Sequence, residues 1–133
     1  MKSIILNKLK EHLQTAILLE LSTLPPYLTA YWSIYGDSLH ANHVKNFILG
    51  IVQEEMLHMA MACNILNAIG GKPILNDPAL LPEFPTALPG HSKTVNPFLV
   101  SLEKCCLFSI ATFIKIELPE ELASVEKSND GWT

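Results

Sequence analysis

An all-α bundle of three long helices is the fold the sequence predicts, on three observations. Apolar residues recur at helical spacing, turn and capping residues separate the segments, and strand signals are weak throughout. The first helix is expected over about 3–35, where Leu6, Leu9, Leu13, Ala16, Ile17, Leu24, Tyr27 and Tyr31 trace one face. Pro25 and Pro26 lie inside it and predict a kink or local break. Gly36-Asp37-Ser38 makes a turn, and Asp37 or Ser38 can cap the second helix, expected over about 39–69. Gly70-Gly71 with Pro73 beyond is a helix stop. A loop over 70–96 carries no helical period. The third helix is expected over about 97–118, opening on Pro97 and ending before Pro119. It is apolar on nearly every side, which predicts burial around most of its circumference. Residues 119–133 read as a polar tail. The loop is long enough to cross the bundle, so the third helix can run parallel to the second.

The chain has 133 residues, one domain's worth, with 49% apolar and 17% charged residues, the opposite of a disordered composition. A net charge of -4, with nine scattered Lys and Arg, excludes a nucleic-acid binder, which needs a basic face. Cys63, Cys105 and Cys106 form no Cys-x-x-Cys pair and read as reduced packing thiols. No secretory signal is visible. The longest apolar run, Cys105 to Ile114, is far short of the about 20 residues that span a bilayer. A soluble cytoplasmic protein with no membrane partner is expected. No P-loop, nucleophile elbow or His-Glu-x-x-His motif occurs.

The residues that interrupt the apolar stripes carry the chemistry. On the second helix, Val44, Ile48, Ile51, Ala62, Ile65 and Ile69 define a face on which Glu55 and His58 also fall. Three residues apart, those two side chains lie on adjacent turns of one side. Glu20 stands where Leu13, Ile17, Leu24 and Tyr27 call for an apolar neighbour, and Glu117 follows Ile110, Phe113 and Ile114. An unpaired buried carboxylate costs several kcal/mol, and these faces offer no lysine or arginine to offset it. One carboxylate from each of three helices plus an imidazole is the donor set of a divalent metal, iron or manganese rather than zinc. At 1.5 Å per residue, Glu55 lies about 25 Å into the second helix, Glu20 about 24 Å from the end of the first and Glu117 about 30 Å into the third. The four side chains are therefore expected at one level. Taken singly, each has a plain alternative as a boundary or core residue. Glu54 is expected to face a flank or solvent, His40 and His43 to be solvated, and Met56, Met59 and Met61 to fill the core.

Four stretches, AILLELSTLPPYLTAYWSI (16–34), QEEMLHMAMACNILNAIGGKP (53–73), LPEFPTALPG (81–90) and FIKIELPE (113–120), give the chain a family resemblance. It resembles the ferritin-like domain of the iminophenyl-pyruvate dimer synthase family, which includes enzymes of violacein and indolocarbazole biosynthesis. The resemblance implies a di-iron centre with Glu20, Glu55 and His58 on one metal and Glu117 bridging or on the second. It also implies oxidative coupling of imines derived from an aromatic amino acid. The family's fourth helix, with a further Glu and a Glu-x-x-His, has no counterpart here, because the residues after Pro119 hold no histidine. A truncated member, or one completed by a homo-oligomer or a partner chain, is therefore expected.

These readings favour a metal-binding oxidoreductase of secondary metabolism acting on a small-molecule substrate. The rival expectations are a catalytically inactive helical oligomerisation module and a simple iron-binding ferritin relative.

Overall fold

The computed structural model describes residues 2–89 and 98–118. In chain order it comprises α1 (Lys2–Trp32), α2 (Leu39–Ala68), a 3-10 turn (Pro78–Leu80), strands β1 (Thr86–Ala87) and β2 (Leu99–Val100), and α3 (Leu107–Glu117). The all-α reading holds, and among the described residues there are three α-helices. The expected polar tail at 119–133 lies outside the described residues, as do the expected third-helix start at Pro97 and the end of the loop at 90–96.

α1 passes through Pro25 and Pro26 without a break. Each proline removes one backbone donor, leaving the Leu21 and Ser22 carbonyls without their helical partners. Side-chain hydroxyls reinforce the backbone around this gap: Thr29 Oγ1 donates to the Pro25 carbonyl at 2.7 Å, and Ser22 Oγ donates to the Leu18 carbonyl. α2 starts where Ser38 Oγ accepts the Ala41 N–H at 3.1 Å. It ends in a Schellman motif: Gly71 N–H donates to the Leu66 carbonyl at 2.8 Å and Gly70 N–H to the Asn67 carbonyl at 3.0 Å. Gly70 sits at φ +74, the left-handed conformation that this motif requires and that glycine adopts freely. Beyond the motif, Gln14 grips the Ile74 backbone with two bonds of 2.9 Å, one donated and one accepted, which ties the outgoing loop to α1.

The helices α1 and α2 pack antiparallel through two apolar clusters. Tyr27 and Ala30 meet Ile48, Val52 and Phe113 at one end, and Ile17 meets Ala62 and Leu66 at the other. α3 runs beside them in the expected sense, parallel to α2. Its entry point, Cys105 N–H, donates to Ser33 Oγ at 2.7 Å, while Phe113 and Glu117 reach Tyr27, further back along α1.

Three expectations require correction. The third helix starts at Leu107, not Pro97, because Phe98 to Cys106 is non-helical, with Leu99 and Val100 in a strand and a bend at Cys105 and Cys106. Leu99 and Val100 pair antiparallel with Ala87 and Thr86, and Val100 is fully buried while Leu99 faces out. That two-residue alternation belongs to a strand, but an unbroken apolar stretch conceals it. Second, α3 is not buried all round: it turns Ser109, Thr112 and Phe113 inward, while Leu107, Phe108 and Ile114 are exposed. Third, the buried line of α2 is Ile48, Val52, Glu55, Ala62 and Leu66, slightly rotated from the expected face, so that Val44 and Ile65 lie outside it. Met56 and Met61 are exposed too, and of the three methionines only Met59 packs against the core. No described helix is long and apolar enough to cross a membrane.

Candidate metal centre

Between the two apolar clusters lies a polar layer. Glu20 falls one turn after Ile17 on α1, and Glu55 falls between Val52 and Ala62 on α2, so antiparallel packing sets the two carboxylates opposite each other. His58, one turn beyond Glu55, turns Nδ1 toward both: 3.8 Å from Glu20 Oε2 and 3.7 Å from Glu55 Oε1. Ligand atoms from the three residues lie within 4.8 Å of one another.

Those separations have a chemical meaning. At 3.7 and 3.8 Å the imidazole is too far from either oxygen for a hydrogen bond. Two donors bound at about 2.1 Å to one ion stand at most about 4.2 Å apart, so both contacts fit ligands of a shared cation. The donor chemistry fits as well, with carboxylate oxygens and one imidazole and no thiolate nearby. Among the described residues no lysine pairs with either carboxylate.

Burial differs across the group. Glu55 is 7% exposed, whereas the side chain of His58 is 52% exposed. The site therefore opens on one side to water, and His58 Nε2 has no protein hydrogen bond among the described residues. Burial, followed by the hydrogen bond and the charge of Glu55 and then by the charge of Glu117, pushes the Glu20 carboxyl up to about 7.

Glu117 reaches the site by another route. It closes α3, its side chain is exposed, and it accepts a hydrogen bond from the Tyr27 hydroxyl. It lines the same cleft of about 210 Å³ as Glu20, Thr23, Glu55 and His58, with Leu19, Leu88 and Ile116 as the apolar wall. It is not within the tight three-residue cluster. The four side chains line one cleft, but His58 and Glu117, expected to face inward, are exposed, and Glu117 is the last residue of an 11-residue helix rather than deep in a longer one.

Two functional side chains escape a reading based on charges. Thr23 Oγ1 lies 2.7 Å from Glu55 Oε2 and 2.8 Å from the Glu20 carbonyl; its single proton serves the carboxylate when Glu55 is ionised. Tyr27 holds Glu117. Both sit on the Glu20 face of α1, at i+3 and i+7, where a hydroxyl is equally compatible with ordinary packing. Glu54, His40 and His43 are exposed, in keeping with solvated roles.

A second, larger hollow of about 570 Å³ runs between α2 and α3. It is lined by Val44, Phe47, Ile48, Ile51, Ile110, Phe113 and Ile114, with His43 and Glu117 among its few polar side chains. Among the described residues, it shares only Glu117 with the site.

Comparison with known proteins bears on the family. A family model described as Ferritin-like matches residues 13–132. Dichlorochromopyrrolate synthase of Lentzea aerocolonigenes is 32% identical over 87 residues, 65% of this chain. The match spans 8% of that enzyme's length. No solved structure matches the chain.

Proposed function

The chain belongs to the ferritin-like family, and on that footing we propose that Glu20, Glu55, His58 and Glu117 form a non-haem iron centre for oxidative chemistry on a small molecule. The substrate class that fits is an aromatic or amino-acid-derived imine. This follows from the resemblance of the quoted stretches to imine-coupling enzymes and from the similarity to a synthase named for dichlorochromopyrrolate. The observation that carries the reading is the convergence of Glu20, Glu55 and His58 within 4.8 Å in a cleft where, among the described residues, no lysine neutralises them.

Iron held there would supply one-electron and dioxygen chemistry, and manganese suits the same donors. The protein's own contribution is arrangement. Thr23 fixes one oxygen of Glu55, leaving Oε1 on the His58 side. His58 offers Nδ1 as a neutral acceptor while its other nitrogen faces water. Glu20 gives up its proton to become a ligand, so metal uptake releases a proton below about pH 7. Elemental analysis of protein purified without chelators is expected to show bound iron in the wild type and none in Glu55→Ala. Equal iron in both would overturn the assignment.

A second reading, a helical module that associates without catalysis, is favoured by the open apolar hollow between α2 and α3. In that case the carboxylates hold protons or share them, and no metal is retained. A simple iron-handling role without organic substrate is distinguished by oxygen uptake with ferrous iron alone. For either, we propose that a second copy or a partner chain covers the hollow, where it would lie against Glu117 and could complete the ligand set.

A further inference from the structure

Among the described residues, the one hydrogen bond to the exposed carboxylate of Glu117 comes from Tyr27. Tyr27 itself is fully buried, with its ring 4.5 Å from that of Phe113 at an interplanar angle of 59°. Phe113 and Glu117 are one turn apart on α3, so a single residue of α1 grips two successive turns of α3. The ring contact fixes how close α3 comes, and the hydroxyl fixes where its last side chain points. One turn earlier on α1, Thr23 does the same for Glu55 of α2, at 2.7 Å. The face of α1 that carries Glu20 thus also carries two hydroxyls, each directed at a carboxylate from a different helix.

We propose that Tyr27 is a positioning residue that delivers Glu117 to the centre as its fourth protein ligand, acting through its hydroxyl and not through its packing. The inference rests on the metal reading above. Without the phenol, Glu117 has no described partner and is free to turn into solvent, leaving the cation with Glu20, Glu55 and His58. Outer partners that orient metal ligands govern affinity by about 10- to 100-fold.

Tyr27→Phe keeps the ring against Phe113 and removes only the hydroxyl, which makes it the direct test. The full chain, as wild type, Tyr27→Phe, Glu117→Gln and the double variant, is titrated with cobalt(II) by equilibrium dialysis and visible absorption, with circular dichroism confirming the fold. Tyr27→Phe is expected to weaken cobalt binding about 10- to 100-fold, to a similar extent as Glu117→Gln. In the Glu117→Gln background, Tyr27→Phe is expected to cause no further loss, because its target is already gone. A purely structural role for Tyr27 would instead make the two losses multiply. Multiplying losses, or unaltered binding in Tyr27→Phe while the wild type binds cobalt, overturn this inference alone. A folded wild type that takes up no cobalt overturns the metal reading along with it.

Discussion

Glu20 occupies an environment that disfavours the charged form of a carboxylate. Burial and the facing Glu55 disfavour its charge, so in the metal-free fold it keeps its proton up to about pH 7, whereas in the unfolded chain it loses it near 4.5. Between those values the folded state holds more protons, so stability falls as pH rises through the window. The urea midpoint of metal-free protein is therefore expected to drop from pH 5 to pH 8, and Glu20→Gln is expected to flatten the decline. A midpoint that climbs over the same range contradicts the burial argument. Metal reverses the preference, because it binds the ionised form, and its affinity should rise as pH passes 7. Glu20, Glu55 and His58 were legible in the sequence because each interrupts an apolar stripe. Thr23 and Tyr27 were not, since a threonine or tyrosine on such a stripe is compatible with ordinary packing. Their roles depend on which oxygen lies across the helix interface, and periodicity says nothing of that.

At the scale of single elements, helix ends carry more information than helix interiors. The α2 terminus was readable from Gly70-Gly71, and the reason is now specific. A Cβ on Gly71 would stand 2.2 Å from Leu66 Cδ1, and Leu66 is 2% exposed in the core, so its side chain has nowhere to swing. Gly71→Ala is expected to destabilise the fold by about 1–3 kcal/mol in urea unfolding through overpacking. Gly36→Ala meets no atom within 4 Å, yet its φ of +87 adds strain of about 1–2 kcal/mol. Equal midpoints for wild type and Gly71→Ala would show that Leu66 can give way. The α3 start was misread for a related reason. Its cap is Ser109 Oγ accepting the Cys106 N–H at 2.9 Å, a serine inside the helix and not a proline before it. The preceding strand owes its existence to pairing with Thr86 and Ala87, a partner twelve or more residues away that no local pattern announces. Of the kink or local break expected at Pro25 and Pro26, the break does not occur: α1 runs through them as one helix, with Leu24 and Tyr27 packed in the core on either side.

For the whole molecule, the described chain is an open bundle. Antiparallel α1 and α2 form the frame, α3 lies alongside, and the flank between α2 and α3 carries exposed Phe47 and Ile114. The bundle and the parallel run of α3 were foreseeable from helix count and loop length, whereas the apolar character of the third helix pointed to burial rather than to the open side observed. The rotation of α2 was not foreseeable, because α2 packs mainly against α1, and which of its apolar residues meet α1 is decided across the interface rather than along the sequence. Exposed apolar surface of this kind drives association, so light scattering is expected to return a mass of at least twice 14.7 kDa. Phe47→Glu, in the middle of the hollow, is expected to lower that mass toward the single chain. A clean monomer in the wild type would mean that the flank tolerates water as it stands.

We propose that the carboxylates of Glu20 and Glu55 and the imidazole of His58 serve to hold a cation. Anaerobic titration of chelator-treated, folded protein with ferrous iron, followed by separation of bound from free metal, addresses it most directly. Saturable uptake by the wild type that disappears in Glu55→Ala is the predicted result. Iron that partitions identically with both proteins, at every ratio, would contradict the account.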